Sequence, residues 1–185
     1  MRRNISILFF LFHICFAVFS QNNPHQTNSD HLFYSGDYEK AIPALREHLI
    51  SHPHNPHIKK MLAKSFLNTG NADSAYILHK EIIEHNPEDY DSHVFIGNYY
   101  YVIAKKITKT ETTSDEKRTR FFLSKKGDGK ITPDTISKCY RKAGEHLEKA
   151  YTIYNSDEIR KFLIDIYTIT DNKDKVALYK RNASK

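Results

Sequence analysis

The feature that most constrains what this chain can fold into is an internal repeat. Gly36 and Gly70 lie 34 residues apart, and the same interval separates Ala41 from Ala75, Leu49 from Ile83 and Pro53 from Pro87. That period is long enough for two helices and their turns. A unit of that size cannot bury its apolar face alone and must stack on its neighbours. The residue types suit their places. Glycine permits the left-handed backbone at the end of a helix, and Asp37 and Asn71, each following its glycine, can cap the next one. Ala41 and Ala75 are small where two helices approach, and Pro53 and Pro87 stop the second helix of each unit. Ile42, Leu45 and Leu49, then Ile77, Leu78 and Ile82, keep helical spacing.

Tyr34-Ser35-Gly36-Asp37-Tyr38-Glu39-Lys40-Ala41-Ile42 resembles the turn and second helix of a tetratricopeptide repeat, and Leu62-Ala63, Phe66, Gly70, Ala75, Ile82 and Pro87 continue the pattern through a complete unit. A third unit resembles the family at Ile96-Gly97 and Tyr100. Its second helix returns only at Tyr140, Ala143, Leu147, Ala150 and Tyr151. A fourth, weaker pair follows Asn155-Ser156-Asp157, with Leu163, Tyr167 and Val176-Ala177, and its phase is ambiguous by one residue. The resemblance implies an all-α, right-handed solenoid of three to four helix hairpins. The expected units are 22–55, 56–89, 90–155 with an insertion over 106–135, and 156–185, forming a single domain. Pro24 and a polar run precede Leu32, so the ordered part of the first unit is expected to begin near Ser29.

The first twenty residues are expected to be a signal peptide rather than part of the fold. Met1-Arg2-Arg3 is a positive start, Ile5 to Phe19 is nearly unbroken apolar sequence, and Val18 and Ser20 are small enough for cleavage before Gln21. The alternative is a retained anchor, but the apolar run is short for the ~30 Å of a bilayer core. Cleavage lowers the net charge from +6 to +4 and removes Cys15, leaving Cys139 with no partner for an intramolecular disulfide. The chain is thus expected to be exported, periplasmic or extracellular, with no membrane span after cleavage and no nucleic-acid partner.

Residues 105–138 hold ten Lys or Arg against five Asp or Glu, around one apolar cluster, Phe121-Phe122-Leu123. The cluster either packs back on the repeats or forms an arm that docks a partner. Asp128-Gly129-Lys130 looks like the middle of a calcium loop, but Ser124, Lys126 and Thr135 stand at its ligand positions, and lysine does not ligate calcium. The segment reads instead as a turn into a helix capped near Thr132, with Pro133 at its first position. His48, His52, His54 and His57 cluster across a proline-broken turn and read as solvated surface histidines, not a zinc site. No nucleophile elbow, phosphate loop, HExxH or CxxC motif appears. No enzymatic activity, cofactor or metal is therefore expected. Tyr99-Tyr100-Tyr101 must point in different directions around a helix, so at least one should reach solvent or a ligand.

Family members use the first helix of each unit to line a concave groove that binds peptides. The resemblance places His57, Lys60, Lys64 and Asn68 of the second unit, and Asp91, Val94, Asn98 and Tyr101 of the third, on that groove. Only Lys60 fits the family's carboxylate clamp. The expected function is a non-enzymatic protein-interaction or assembly module, similar to small exported bacterial repeat proteins. Its expected partner is a protein or peptide, with an acidic one suiting Lys60 and Lys64. The candidate contacts are Lys60, Lys64, Asn68, Asn98, Tyr101, Phe121 and Phe122. An accessory subunit of an envelope nutrient-uptake or hydrolase complex, and a self-assembling structural protein, are the alternatives; oligomeric state is left open.

Overall fold

The computed structural model describes residues 24–109 and 132–181. Among them there are eight helices and no strand: α1 (Pro24–Tyr34), α2 (Tyr38–Ser51), α3 (Pro56–Asn68), α4 (Ala72–His85), α5 (Tyr90–Lys109), α6 (Pro133–Ile153), α7 (Asp157–Ile169) and α8 (Lys173–Arg181). They form four consecutive hairpins, an all-α solenoid. Helix α1 starts at Pro24, earlier than the expected Ser29, because a proline at the first helical position needs no hydrogen bond there. Both ends of the expected insertion are also helical: α5 runs through Lys106 to Lys109, and α6 begins at Pro133. Phe121, Phe122 and the residues proposed for the signal peptide lie outside the described residues.

The turns within hairpins repeat in chemical detail. Gly36 and Gly70 take φ of 81° and 80°. In the first the amide of Asp37 donates to Leu32 O at 3.0 Å, and in the second Asn71 donates to Phe66 O at 2.7 Å. The fourth unit makes the same bond from Asn172 to Tyr167 O at 2.8 Å, with Asp171 at φ 52° in the glycine's place. Asp37, Asn71 and Asn172 then accept from the amides of Lys40, Ser74 and Lys175, capping α2, α4 and α8. Thr132 caps α6 in a reciprocal box with Thr135, ahead of Pro133.

Two apolar clusters make the core. One gathers Phe33, Ala41, Leu45, Ile58, Met61, Leu62, Ala63, Phe66, Ala75 and Leu78 from α1–α4. The other gathers Tyr101, Ala104, Cys139, Tyr140, Ala143, Leu147, Ile159, Leu163, Ile166 and Tyr167, with Tyr179, from α5–α8. Helices α5 and α6 make the most extensive contact in the fold. Gly97 makes it possible, since a Cβ there would lie 2.6 Å from Leu147 Cγ and 3.2 Å from Ala143 O. Cys139 is buried, and burial pushes its thiol pKa up, as expected of a cysteine acting as a small apolar side chain.

Candidate partner-binding cleft

The seam between the two clusters is aromatic and polar. From α4, Tyr76 stacks on Tyr99 of α5 with ring centroids 4.7 Å apart, and His79 stacks on Phe95 at 4.3 Å. The three consecutive tyrosines tie α5 to three different helices. Tyr99 donates to Asp73 of α4 at 2.9 Å. Tyr100 shares a 2.8 Å hydrogen bond with Tyr76 and carries the Lys142 ammonium of α6 over its ring. Tyr101 donates to Asp165 of α7 and meets Tyr140 and Phe162 edge to face. Burial is the main reason the Tyr99 and Tyr76 phenols are held well above their ordinary pKa. Of the three, Tyr99 is the one that lines the cleft described next.

A cleft of about 520 Å³ opens at this seam, between α5 and the end of α3 with the adjoining α4. Its main wall is one stripe of α5, at helical spacing: Asp91, Val94, Phe95, Asn98, Val102 and Lys106. Leu67 from α3, and Asp73 and His79 from α4, face it. Val102 and Leu67 are 49% and 40% exposed, unusually open for large apolar side chains that line one depression. The carbonyl oxygen of Asn98 is buried and has no hydrogen-bond partner.

His79 has a fixed role beneath this wall. Its Nδ1 lies 2.9 Å from Ser92 Oγ. Asp89 accepts from the amide of Ser92 at 2.9 Å. Burial lowers the His79 pKa to about 4, leaving the ring neutral at pH 7.

The residues expected to bind a partner fall into separate groups. Asn98 lies in the cleft, with Val94 and Asp91 on the same stripe. Tyr101 does not: it is 9% exposed and packs toward α6 and α7, because its position on the helix turns it away from the stripe. Lys60 is not a free cation. Its ammonium lies 2.7 Å from Asp89 and 2.8 Å from Asp91, and although burial opposes it, these bonds hold its pKa above the ordinary value. The basic groove expected from Lys60 is thereby neutralised. Lys64 is exposed and sits over the Phe33 ring of α1, 5.6 Å from its centroid, and Asn68 is exposed and donates to Lys64 O. Neither lines the cleft, and Phe121 and Phe122 are not described. The sequence missed Leu67, Val102, Asp73 and His79; the α5 stripe through Val94 and Asn98 was the available signal for Val102.

The histidine cluster also divides. His52, His54 and His57 are exposed, but His48 is 5% exposed and shares a 3.4 Å hydrogen bond with the buried Ser29. His48 faces inward because it continues the Ala41–Leu45 stripe of α2. Among the described residues, no group of three or more His, Cys, Asp or Glu is placed to hold a metal ion, and no helix is long and apolar enough to cross a membrane.

A tetratricopeptide-repeat family profile matches residues 32–94. Among solved structures, the chain is similar to a Bacteroides ovatus protein described as a candidate protein-binding protein. That match has 24% identity and a TM-score of 0.58, and covers 78% of this chain and 70% of that one. The likeness is one of fold. Lower similarity, with a TM-score of 0.39 and 16% identity in each case, extends to a thermophilic TPR protein of Thermus thermophilus (86% of this chain, 90% of that one) and to MamA (84% and 91%). No curated protein sequence matches the chain.

Proposed function

Over residues 32–94 the chain belongs to the tetratricopeptide-repeat family, whose members are protein-interaction modules, and from that premise we propose that it works without catalysis by holding a protein segment in the cleft along α5. The observation that carries this reading is the open apolar stripe itself. Val94 and Val102 lie on a helix whose other faces are covered by α4 and α6, yet Val102 remains 49% exposed at the cleft. Large apolar side chains gathered in a depression gain by being covered, at about 25 cal/mol per Å². The proposal also places the protein outside the cytoplasm, supported by the charged start and apolar run of residues 1–20.

Site-specific photocrosslinking tests the reading. A photoreactive side chain at position 102 should capture a defined envelope protein in the native cell. The same group at position 77, where Ile77 is 53% exposed outside the cleft, should not. Crosslinks from position 77 with none from position 102 would move the contact to the outer surface.

A further inference from the structure

We propose that the occupant of the cleft is an extended apolar segment bearing hydrogen-bond donors and a basic side chain, rather than the acidic partner that Lys60 and Lys64 bring to mind. The inference rests on the cleft reading above and specifies its ligand. Three observations carry it. First, the cations on the second unit's first helix are already engaged: Lys60 lies between Asp89 and Asp91, a group whose formal charge is −1, and Lys64 is over Phe33 outside the cleft.

Second, the charges that line the cleft favour a cation. Asp73 and Asp91 stand on opposite walls, and Lys106 is the one ammonium among the described lining residues. Asp73 already accepts from Tyr99, but a carboxylate has capacity for further donors. Asp91 is 64% exposed beyond its contact with Lys60.

Third, the unsatisfied polar group in the wall is an acceptor. Asn98 Oδ1 is buried without a donor, a condition that costs about 1–3 kcal/mol unless a donor arrives. Asn98 itself lines the cleft, so a turn of its side chain would bring Oδ1 to a peptide backbone N–H while apolar side chains cover Val94, Val102 and Leu67. A carboxylate-rich segment would bring acceptors to acceptors.

Fluorescence anisotropy with the folded protein and three labelled peptides tests this. The first peptide alternates leucine and serine between terminal lysines; the second replaces the lysines with glutamates; the third keeps the lysines but replaces the leucines with glycine. The lysine–leucine peptide should bind at least about ten-fold tighter than the glutamate one, a difference of ~1.4 kcal/mol. Its affinity should fall with added salt, and the glycine peptide should not bind. Asn98→Asp should strengthen the lysine–leucine complex, Asn98→Leu should weaken it, and Val102→Arg, at an exposed site that tolerates substitution, should abolish it. Equal or tighter binding of the glutamate peptide at the same site overturns the inference while leaving the cleft as a binding site. Concentration-dependent dimerisation abolished by Val102→Arg also overturns it, by showing the occupant to be a second copy. If no peptide binds and position 102 yields no crosslink in the native cell, the cleft reading itself fails.

Discussion

His93 and His146 meet Nδ1 to Nδ1, 3.0 Å apart, across the interface of α5 and α6. His93 Nε2 donates to Pro87 O at 3.0 Å, which fixes that ring so that its Nδ1 faces His146. Burial, then His93, then Lys142 lower the His146 pKa from 6.5 to about 4, and burial lowers that of His79 to the same value. An unfolded chain protonates these histidines near pH 6.5, whereas the folded one resists until about pH 4. Stability should therefore be level above pH 6.5, fall as the pH drops from 6.5 toward 4, and stop changing through these groups below that. Asp89 and Asp37, held below 3.8, lose their contribution only beneath this window. Thermal melting across the range should show a fall on the order of 5–10 °C. A His79→Phe, His146→Phe double variant should flatten the curve, and an unchanged slope would mean the rings are not the titrating groups.

The close approach of α5 and α6 gives a second expectation. Gly97→Ala puts a methyl 2.6 Å from Leu147 Cγ, in a position where Leu147 is fully buried and Ala143 O blocks retreat. Overpacking of this kind should cost about 1–3 kcal/mol in urea denaturation. In a Leu147→Ala background the same substitution should cost much less, because the colliding atoms are gone. Simple additivity of the two changes would show that the helices separate instead of clashing.

Lys59 provides an asymmetry to measure. Its side chain is 7% exposed and its ammonium lies 2.6 Å from Glu81 Oε2, while Glu81 is 43% exposed. Removing the acid strands a buried charge; removing the base strands one that water can reach. Glu81→Ala should therefore destabilise by about 1–3 kcal/mol and Lys59→Met by less. The double variant should be more stable than Glu81→Ala alone. Equal single effects would show that water reaches the Lys59 ammonium.

How much of this was legible depended on whether a constraint was local. Gly36 and Gly70 announce their turns because a left-handed residue followed by a capping side chain is a short-range requirement, and the repeat carries it forward. The third unit's Ile96-Gly97 was legible for the same reason, although its helix partner returns only after the long connection. The resemblance placed both Asn98 and Lys60 on a groove, whereas the structure sets Asn98 in the wall of the cleft and Lys60 in an ion-paired group. Of the two carboxylates that neutralise Lys60, Asp89 ends the same unit and Asp91 opens the next, 31 residues further on, and one-dimensional spacing says nothing of that encounter. Tyr101 shows the complementary failure. Three residues beyond Asn98 is close enough to share a face by count, but the large ring turns toward α6 and α7, where Asp165 accepts its hydroxyl. His48 was misread because a cluster of four histidines around prolines outweighed the apolar stripe to which one of them belongs.

The fourth hairpin turn was ambiguous because its left-handed residue is Asp171 and not glycine. The hydrogen bonds remove the ambiguity, since Asp171 donates to Thr168 O and Asn172 to Tyr167 O just as Gly70 donates to Leu67 O and Asn71 to Phe66 O. At φ 52° an aspartate holds its Cβ in a conformation that glycine occupies freely. The side chain gives little in return. Its nearest cation, Lys173, is 3.9 Å away, and both groups are more than four-fifths exposed. Asp171→Gly should therefore stabilise the protein by roughly 0.5–1 kcal/mol, the relief of the strained backbone less the extra freedom glycine gains when unfolded. Asp171→Ala keeps the Cβ without any local polar compensation and should destabilise. The pair can be compared by urea denaturation, where an Asp171→Gly variant less stable than Asp171→Ala would show that freedom in the unfolded chain outweighs backbone strain at this turn.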